Sequence, residues 1–267
     1  MRFTETITSL KKALSVQPKE IVGLVGAGGK TTLMFALAHE LSSDRGLVIT
    51  TTTTKIFPPC SADTPSLLVS RDEEEIVDFI LENEGKVGHV TIASEFLAGS
   101  GKLQGISPLL VPKLIKLTPV TYVIVEADGA ARRPLKAPDP AFEPVIPECT
   151  SVVIPVVGLD AVGCELSERN VFRSAIASKL TGLPLGGTVS IEAIVDLIVH
   201  PSGIARGSPD QARIIPFINK MDLHADRSIA RDLAYKILDT GHPRIDRVVL
   251  GQAKVNPPVT EVVFKGE

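Results

Sequence analysis

A chain of 267 residues with 28 Lys and Arg against 31 Asp and Glu has a formal net charge of −3; 44 % of it is hydrophobic and 22 % charged. That composition describes a soluble globular protein with a sizeable core and excludes disordered, collagen-like and low-complexity chains. The near-neutral balance argues against nucleic acid or an anionic membrane as a partner held by bulk charge, and no uninterrupted apolar run approaches the ~18 residues of a membrane span.

The first six residues, Met1 to Thr6, lack an apolar signal core, so no export signal is expected. Cys60, Cys149 and Cys164 are an odd number without C-x-x-C spacing. They read as reduced thiols of a cytoplasmic protein, not as a disulfide framework or zinc site.

In chain order, Ile7, Leu10 and Leu14 share one stripe of a short helix. Residues 20–25 form an apolar run predicted as a buried strand, broken by Gly26-Ala27-Gly28-Gly29. A helix follows with Leu33, Met34, Leu37, Ala38 and Leu41 on one face and Gly46 as its stop. Residues 47–50 are the next strand and run into five consecutive threonines, Thr50 to Thr54. Ser70 and Glu73 form a capping box that opens a helix burying Ile76, Phe79 and Ile80.

Residues 122–125 and 151–157 are continuous apolar strands. Between them, residues 128–150 contain five prolines and read as a long surface loop. Residues 163–210 read as a helical insertion with helices around 171–180 and 190–199. Residues 213–218 form another strand, followed by a helix with Ile229, Leu233 and Ile237 on one stripe and a strand over 244–250. Pro155 and Pro216 fall inside these proposed strands, where proline is expected only at edges or bulges. Strands alternating with helices predict an α/β fold, a mostly parallel sheet covered by helices on both faces, in a single domain over residues 1–267.

The segment Gly26-Ala27-Gly28-Gly29-Lys30-Thr31-Thr32 joins a predicted strand to a predicted helix, the context a phosphate-binding loop requires. Small residues let consecutive N–H groups turn toward phosphate oxygens, and the helix N-terminus adds partial positive charge there. Lys30 would reach the β- and γ-phosphates, and Thr31 would offer its hydroxyl to Mg²⁺. The first glycine of G-x-x-x-x-G-K-[ST] would fall at position 24, which is Leu24. The loop is instead similar to K-G-G-x-G-K-[ST] of the signal-recognition and nitrogenase-iron class of P-loop proteins, with Val25 and Ala27 as departures. It also resembles G-T-x-G-K-T-T of peptidoglycan-type ligases. The bland alternative is a glycine-rich turn that binds nothing.

The strand over 122–125 ends in Glu126-Ala127-Asp128-Gly129, which fits a Walker B strand closing on E-x-x-G. Glu126 or Asp128 would hold Mg²⁺ or a metal-bound water, and the Gly129 N–H would contact the γ-phosphate. Arg132, Arg133 and Lys136 follow, either stabilising a transferring phosphoryl group or forming a solvated face. Residues 51–55 read equally as a switch binding Mg²⁺ or water and as threonines suited to a strand.

Asn219-Lys220-Met221-Asp222 is N-K-x-D at a predicted strand end. In this motif the aspartate accepts from guanine N1–H and the 2-amino group, the asparagine braces the loop and the lysine stem lies on the base. Gly251-Gln252-Ala253-Lys254 resembles the S-A-K element that contacts guanine O6 through its backbone, here at Ala253. A polar helix-entry turn is the alternative.

The set V-G-A-G-G-K-T-T, I-T-T-T-T-T-K-I-F-P-P, V-E-A-D-G-A, P-L-K-A-P and N-K-M-D, with Val156-Val157-Gly158-Leu159-Asp160, covers roughly residues 20–256. It resembles the selenium-dependent hydroxylase accessory protein family (YqeC-like). The resemblance implies a P-loop protein associated with molybdenum-containing, selenium-dependent hydroxylases, with that client or its cofactor as partner. No histidine-rich tract or C-x-H element is present, and His39, His89, His200, His224 and His242 are scattered, which gives direct metal delivery no support.

Three functions compete. The first is a Mg²⁺-dependent NTPase, GTP preferred, with slow intrinsic hydrolysis. The second is an ATP-dependent kinase or ligase, whose acceptor site would need Arg169, Arg173 and Lys179 of the insertion to face Lys30. The third is a module that holds nucleotide without turnover.

Overall fold

The computed structural model describes residues 3–43, 46–223 and 226–266; His224 lies outside them. Strand β1 (Phe3–Glu5) leads to a single helical turn, α1 (Leu10–Ala13), where the Ser9 hydroxyl accepts from the Lys12 N–H. Strand β2 (Ile21–Gly26) is wholly buried and runs into α2 (Lys30–Leu41). Next come β3 (Leu47–Thr52), β4 (Lys55–Ile56), β5 (Leu67–Val69), α3 (Glu73–Glu82) and β6 (His89–Ala93). The short strands β7 (Glu95–Leu97) and β8 (Lys102–Gln104) precede α4 (Val111–Lys116) and the buried β9 (Val120–Glu126). They are followed by β10 (Leu135–Lys136), β11 (Val152–Gly158), β12 (Val171–Phe172), α5 (Ser174–Thr181) and α6 (Ile191–Val199). The chain closes with β13 (Arg213–Ile214), β14 (Phe217–Asn219), α7 (Ser228–Asp239), β15 (Arg247–Gly251) and β16 (Val259–Phe264).

The large sheet runs β1-β16-β15-β14-β11-β2-β9-β3-β6-β5, with β13 beside β11. From β15 to β5 every pairing is parallel, while β16 and β1 close one edge in antiparallel fashion. Alternation along each strand explains the helices on both faces. Val22 and Leu24 of β2 join Val152, Ile154 and Val156 of β11 against α1 and α2. Val25, Val153 and Val157 point the other way, into the cluster holding α6 and α7. Ile21, Ile49, Val123 and Val125 share that second face with α3 and α4. The fold is the expected α/β class and is compatible with a P-loop NTPase type. No helix among the described residues is long and apolar enough to cross a membrane.

Several local expectations are corrected. The α3 cap is Asp72, not Ser70: its carboxylate accepts from the Glu74 and Glu75 N–H groups, while Ser70 donates to Glu75. Helix α2 ends at Leu41, and Gly46, at φ +116°, instead turns the chain into β3. The helix expected over 171–180 begins at Ser174, because Val171 and Phe172 pair with Leu135 and Lys136. The proline-rich stretch is no surface loop throughout: Leu135, Lys136 and Ala137 are buried.

The strand expected over 213–218 splits into β13 and β14 around Pro216, and β11 pairs with both pieces. Pro155 therefore sits in a central strand, against the edge-or-bulge expectation. The Ile215 N–H donates to the Val153 carbonyl, and alternation turns the nitrogen of Pro155 toward the same side. Its missing donor falls where the ladder is already interrupted.

Candidate functional site

Leu24 of β2 lies level with Glu126 of β9, so the glycine loop and the acidic strand end leave the sheet side by side. The loop needs its glycines. Gly28, at φ +82°, would bring a Cβ to 2.1 Å from the Gly158 nitrogen, and Gly29, at φ +119°, would meet the Asn219 amide at 2.4 Å. Three loop N–H groups are spent inside the protein: Gly26 donates to Asp128 Oδ2 at 3.0 Å, Ala27 to the Val156 carbonyl at 2.8 Å and Gly28 to the Arg133 carbonyl. What faces outward is the start of α2, whose cap residue Gly29 supplies no side chain to the first-turn N–H groups. Gly28, Gly29, Lys30, Thr31 and Thr32 line a cavity of about 460 Å³ there.

Lys30 is buried and points inward, donating to the Gly26 carbonyl at 2.7 Å. Its ammonium lies 3.2 Å from Asp128 Oδ1 and 3.6 Å from Glu126 Oε1. Burial alone would lower its pKa, but the two carboxylates outweigh burial and raise it, so Lys30 stays charged. Thr31 donates its hydroxyl to Glu126 Oε2 at 2.7 Å. Burial pushes the Glu126 carboxyl up, against the pull of Lys30 and Thr31. Hydroxyl and carboxylate oxygens are the hard donors that Mg²⁺ takes, and Thr31 and Glu126, both in the cavity lining, form a partial set of the kind Mg²⁺ completes with water and phosphate. Asp128, expected to join them, is buried behind the lining with Oδ2 engaged by the Gly26 N–H and Lys136. Asp128 Oδ1 is buried without a hydrogen-bond partner, with the Lys30 ammonium at ion-pair distance. Among the described residues no group of three or more His, Cys, Asp or Glu could hold a metal by itself.

Lys136 stands behind this pair, not in the cavity. Fully buried, its ammonium is 3.0 Å from Asp128 Oδ2 and donates to Glu143 Oε2 and the Gly129 carbonyl, each at 2.6 Å. Glu143 also accepts from Arg173, and those two cations hold its carboxyl below the usual range although burial opposes them. Arg173 is thereby tied to Glu143, and neither it nor Arg169 or Lys179 lines the cavity beside Lys30. The acceptor arrangement expected of the insertion is absent.

Arg132, Arg133, Gly129 and Lys55 do line the cavity. The threonine hydroxyls are engaged with backbone: Thr51 donates to the Ile92 carbonyl, Thr52 to that of Glu126 and Thr53 to that of Val145. They tie β3 and its exit to neighbouring segments.

Asn219, buried at the end of β14, donates its amide to the Gly28 carbonyl at 2.9 Å and accepts from the Ala253 N–H at 2.9 Å. It joins the glycine loop to the segment after β15 in one bracket. Lys220, held at φ +68°, lines the cavity and pairs with Asp160 at 2.7 Å. Asp222 is exposed in a short 3-10 turn outside the cavity lining. Ala253 lines a separate open groove on the other side of Thr31 and Thr32.

Sequence reasoning missed Lys102 and Phe57. Phe57 lies inside I-T-T-T-T-T-K-I-F-P-P but received no role there, Lys102 lies outside every motif, and the pairing of β4 with β8 brings the two to the cavity. Composition carries no signal for such a meeting.

The family model described as YqeC protein matches residues 22–175. That span contains the glycine loop, Glu126, Asp128, Lys136 and Arg173. The chain is also 30 % identical over 245 residues to the "Uncharacterized protein YqeC" of Escherichia coli (strain K12), covering 90 % of each chain. The chain belongs to the YqeC family. No solved structure matches it. The family match ends within α5, so Asn219 and Ala253 lie beyond it.

Proposed function

We propose that this protein is a Mg²⁺-dependent P-loop nucleotide-binding protein, a slow GTPase that serves as an accessory or maturation factor for a selenium-dependent molybdenum hydroxylase. One observation carries the nucleotide reading: the uncapped start of α2, Lys30 and Thr31 converge with Glu126 and Asp128 at the adjoining ends of β2 and β9. The accessory role is supported by YqeC family membership and the motifs that resemble that family.

In this reading the N–H groups of Gly29 to Thr32 hold phosphate oxygens, with the helix dipole favouring the same charge. Lys30 exchanges its carboxylate partners for the β- and γ-phosphates. Thr31 and Glu126 would hold Mg²⁺, which when bound neutralises phosphate charge, while Asp128 orients Lys30 and the glycine loop from behind. Hydrolysis joins a water oxygen to the γ-phosphorus as the β–γ bridging bond breaks, releasing nucleoside diphosphate and phosphate. Among the described residues no glutamine lines the cavity, and Glu126 is its one carboxylate. Slow turnover follows. The Asn219 bracket supports guanine selection, with Asp222 as the reading group; the Ala253 N–H, expected to contact guanine O6, is instead donated to the Asn219 side chain.

The alternative, an ATP-dependent kinase or ligase acting on a small molecule or cofactor precursor, is favoured by the extension of the cavity past the loop to Lys55 and Lys102. Parallel calorimetric titrations of GTP and ATP with Mg²⁺ against wild type and Lys30→Ala, with phosphate release followed, separate the readings. GTP preference lost in the variant supports the GTPase reading. ATP preference makes Asn219-Lys220-Met221-Asp222 a structural turn, and binding without phosphate release leaves a nucleotide-holding module.

A further inference from the structure

The cavity has a second wall. Opposite the start of α2 stand Lys55 of β4, Lys102 of β8 and Arg132. The first two are carried by a small antiparallel sheet, β4-β8-β7, separate from the main sheet. Lys55 pairs in register with Gln104, and Lys102 with Leu97. Arg132 reaches the same wall from the loop after β9, where it and Ala131 are both held at positive φ, 59° and 46°. The Phe57 ring organises two of the cations: Lys102 lies 5.0 Å and Arg132 4.7 Å from its centroid.

These cations differ from the others in the lining. Lys30 faces Glu126 and Asp128, Lys220 pairs with Asp160, and Arg133 donates to the Glu168 carbonyl. Lys55, Lys102 and Arg132 have no carboxylate within ion-pair distance among the described residues. Three like charges gathered on one wall repel one another, and an anion between them removes that cost. Mg²⁺ already cancels about half of a triphosphate's charge, so the nucleotide alone leaves positive charge over on this side.

We propose that Lys55, Lys102 and Arg132, organised on Phe57, form a second anion subsite for a small phosphate- or carboxylate-bearing molecule beside the nucleotide phosphates. The subsite rests on the nucleotide reading for its neighbour but not for its own cations. It names the chemistry of a second ligand: compact, anionic and small enough to share the cavity with a phosphate chain.

The test uses the full chain saturated with Mg²⁺ and guanosine 5′-(β,γ-imido)triphosphate, so that the phosphate loop is occupied. Inorganic phosphate and malonate are then titrated separately by calorimetry. Binding of at least one is expected, and which one distinguishes a phosphate ligand from a carboxylate ligand. Lys55→Gln/Lys102→Gln should weaken that binding by about tenfold or more while the analogue's affinity stays within about threefold. Absence of binding by both probes overturns the proposal, as does a double variant that loses the analogue as Lys30→Ala does, since the cations would then serve the nucleotide. If wild type fails to bind the analogue, the nucleotide reading falls alone. Phosphate binding that still depends on Lys55 and Lys102 would then uphold the subsite, and binding indifferent to them would overturn it.

Discussion

The side-chain amide of Asn219 donates to the carbonyl of Gly28 at 2.9 Å across 191 positions of sequence. The same side chain accepts from Ala253, so one residue holds the glycine loop and the loop after β15 in fixed relation. Replacing Asn219 with Ala strands a buried carbonyl and a buried N–H. An unfolding free-energy loss of about 2–4 kcal/mol is expected by urea denaturation. Asn219→Asp keeps an acceptor for Ala253 but loses the donor to Gly28, so it should be destabilised too and should weaken GTP in calorimetry.

The guanine assignment stands on Asp222. Asp222→Asn reverses the hydrogen-bonding pattern offered to the base edge, so GTP should weaken by about 2–4 kcal/mol while xanthosine triphosphate improves. Asp222 is exposed, and the thermal midpoint should therefore change little. Unchanged GTP affinity would remove guanine reading from this residue.

Lys136 neutralises two carboxylates without touching the cavity. Lys136→Met leaves Asp128 and Glu143 short of a cation in a fully buried place, with an expected cost of about 3–5 kcal/mol. Lys136→Met/Glu143→Gln removes one of those charges and should recover part of the loss. A double-mutant cycle in urea measures the coupling, and simple additivity would show that the two side chains act independently.

His89 sets an acid limit on stability. Burial, with repulsion from His39, lowers its pKa from 6.5 to about 4, and the ring bonds Thr50 Oγ1 at 2.9 Å. Between those values the unfolded chain holds a proton on this ring that the native protein does not. Stability from this group is therefore complete above pH 6.5 and is lost as pH falls toward about 4. The slope is at most about 1.4 kcal/mol per pH unit. Chemical denaturation of His89→Gln across that range should give a correspondingly flatter curve, and an unaltered slope would assign acid sensitivity to other groups.

Patterns local in the chain are legible in the sequence alone. The period of β2, the glycine break and the stripe of α2 lie within about twenty residues of one another, so hydrophobic periodicity and glycine geometry suffice to read them. The same holds for β9 and its acidic end. The edge strand β1 and its neighbour β16 are not legible in this way. Phe3–Glu5 is too short to show alternation, and its partner lies at the opposite end of the chain. Asp72 displaces Ser70 as the α3 cap because both are competent acceptors, and only the path of the chain entering the helix chooses between them.

By itself, the sequence determined the α/β alternation and the position of the glycine loop, the acidic segment and N-K-x-D at strand ends, because each is a contiguous arrangement whose constraints act through neighbouring backbone. Tertiary structure alone decided which charges meet. It paired Lys136 with Asp128 and Glu143, withdrew Arg173 from the cavity and brought Lys55, Lys102 and Arg132 to one wall. A charged side chain carries no local signature of its partner. Burial and the cost of an unpaired charge select that partner, and both exist only once distant strands have packed.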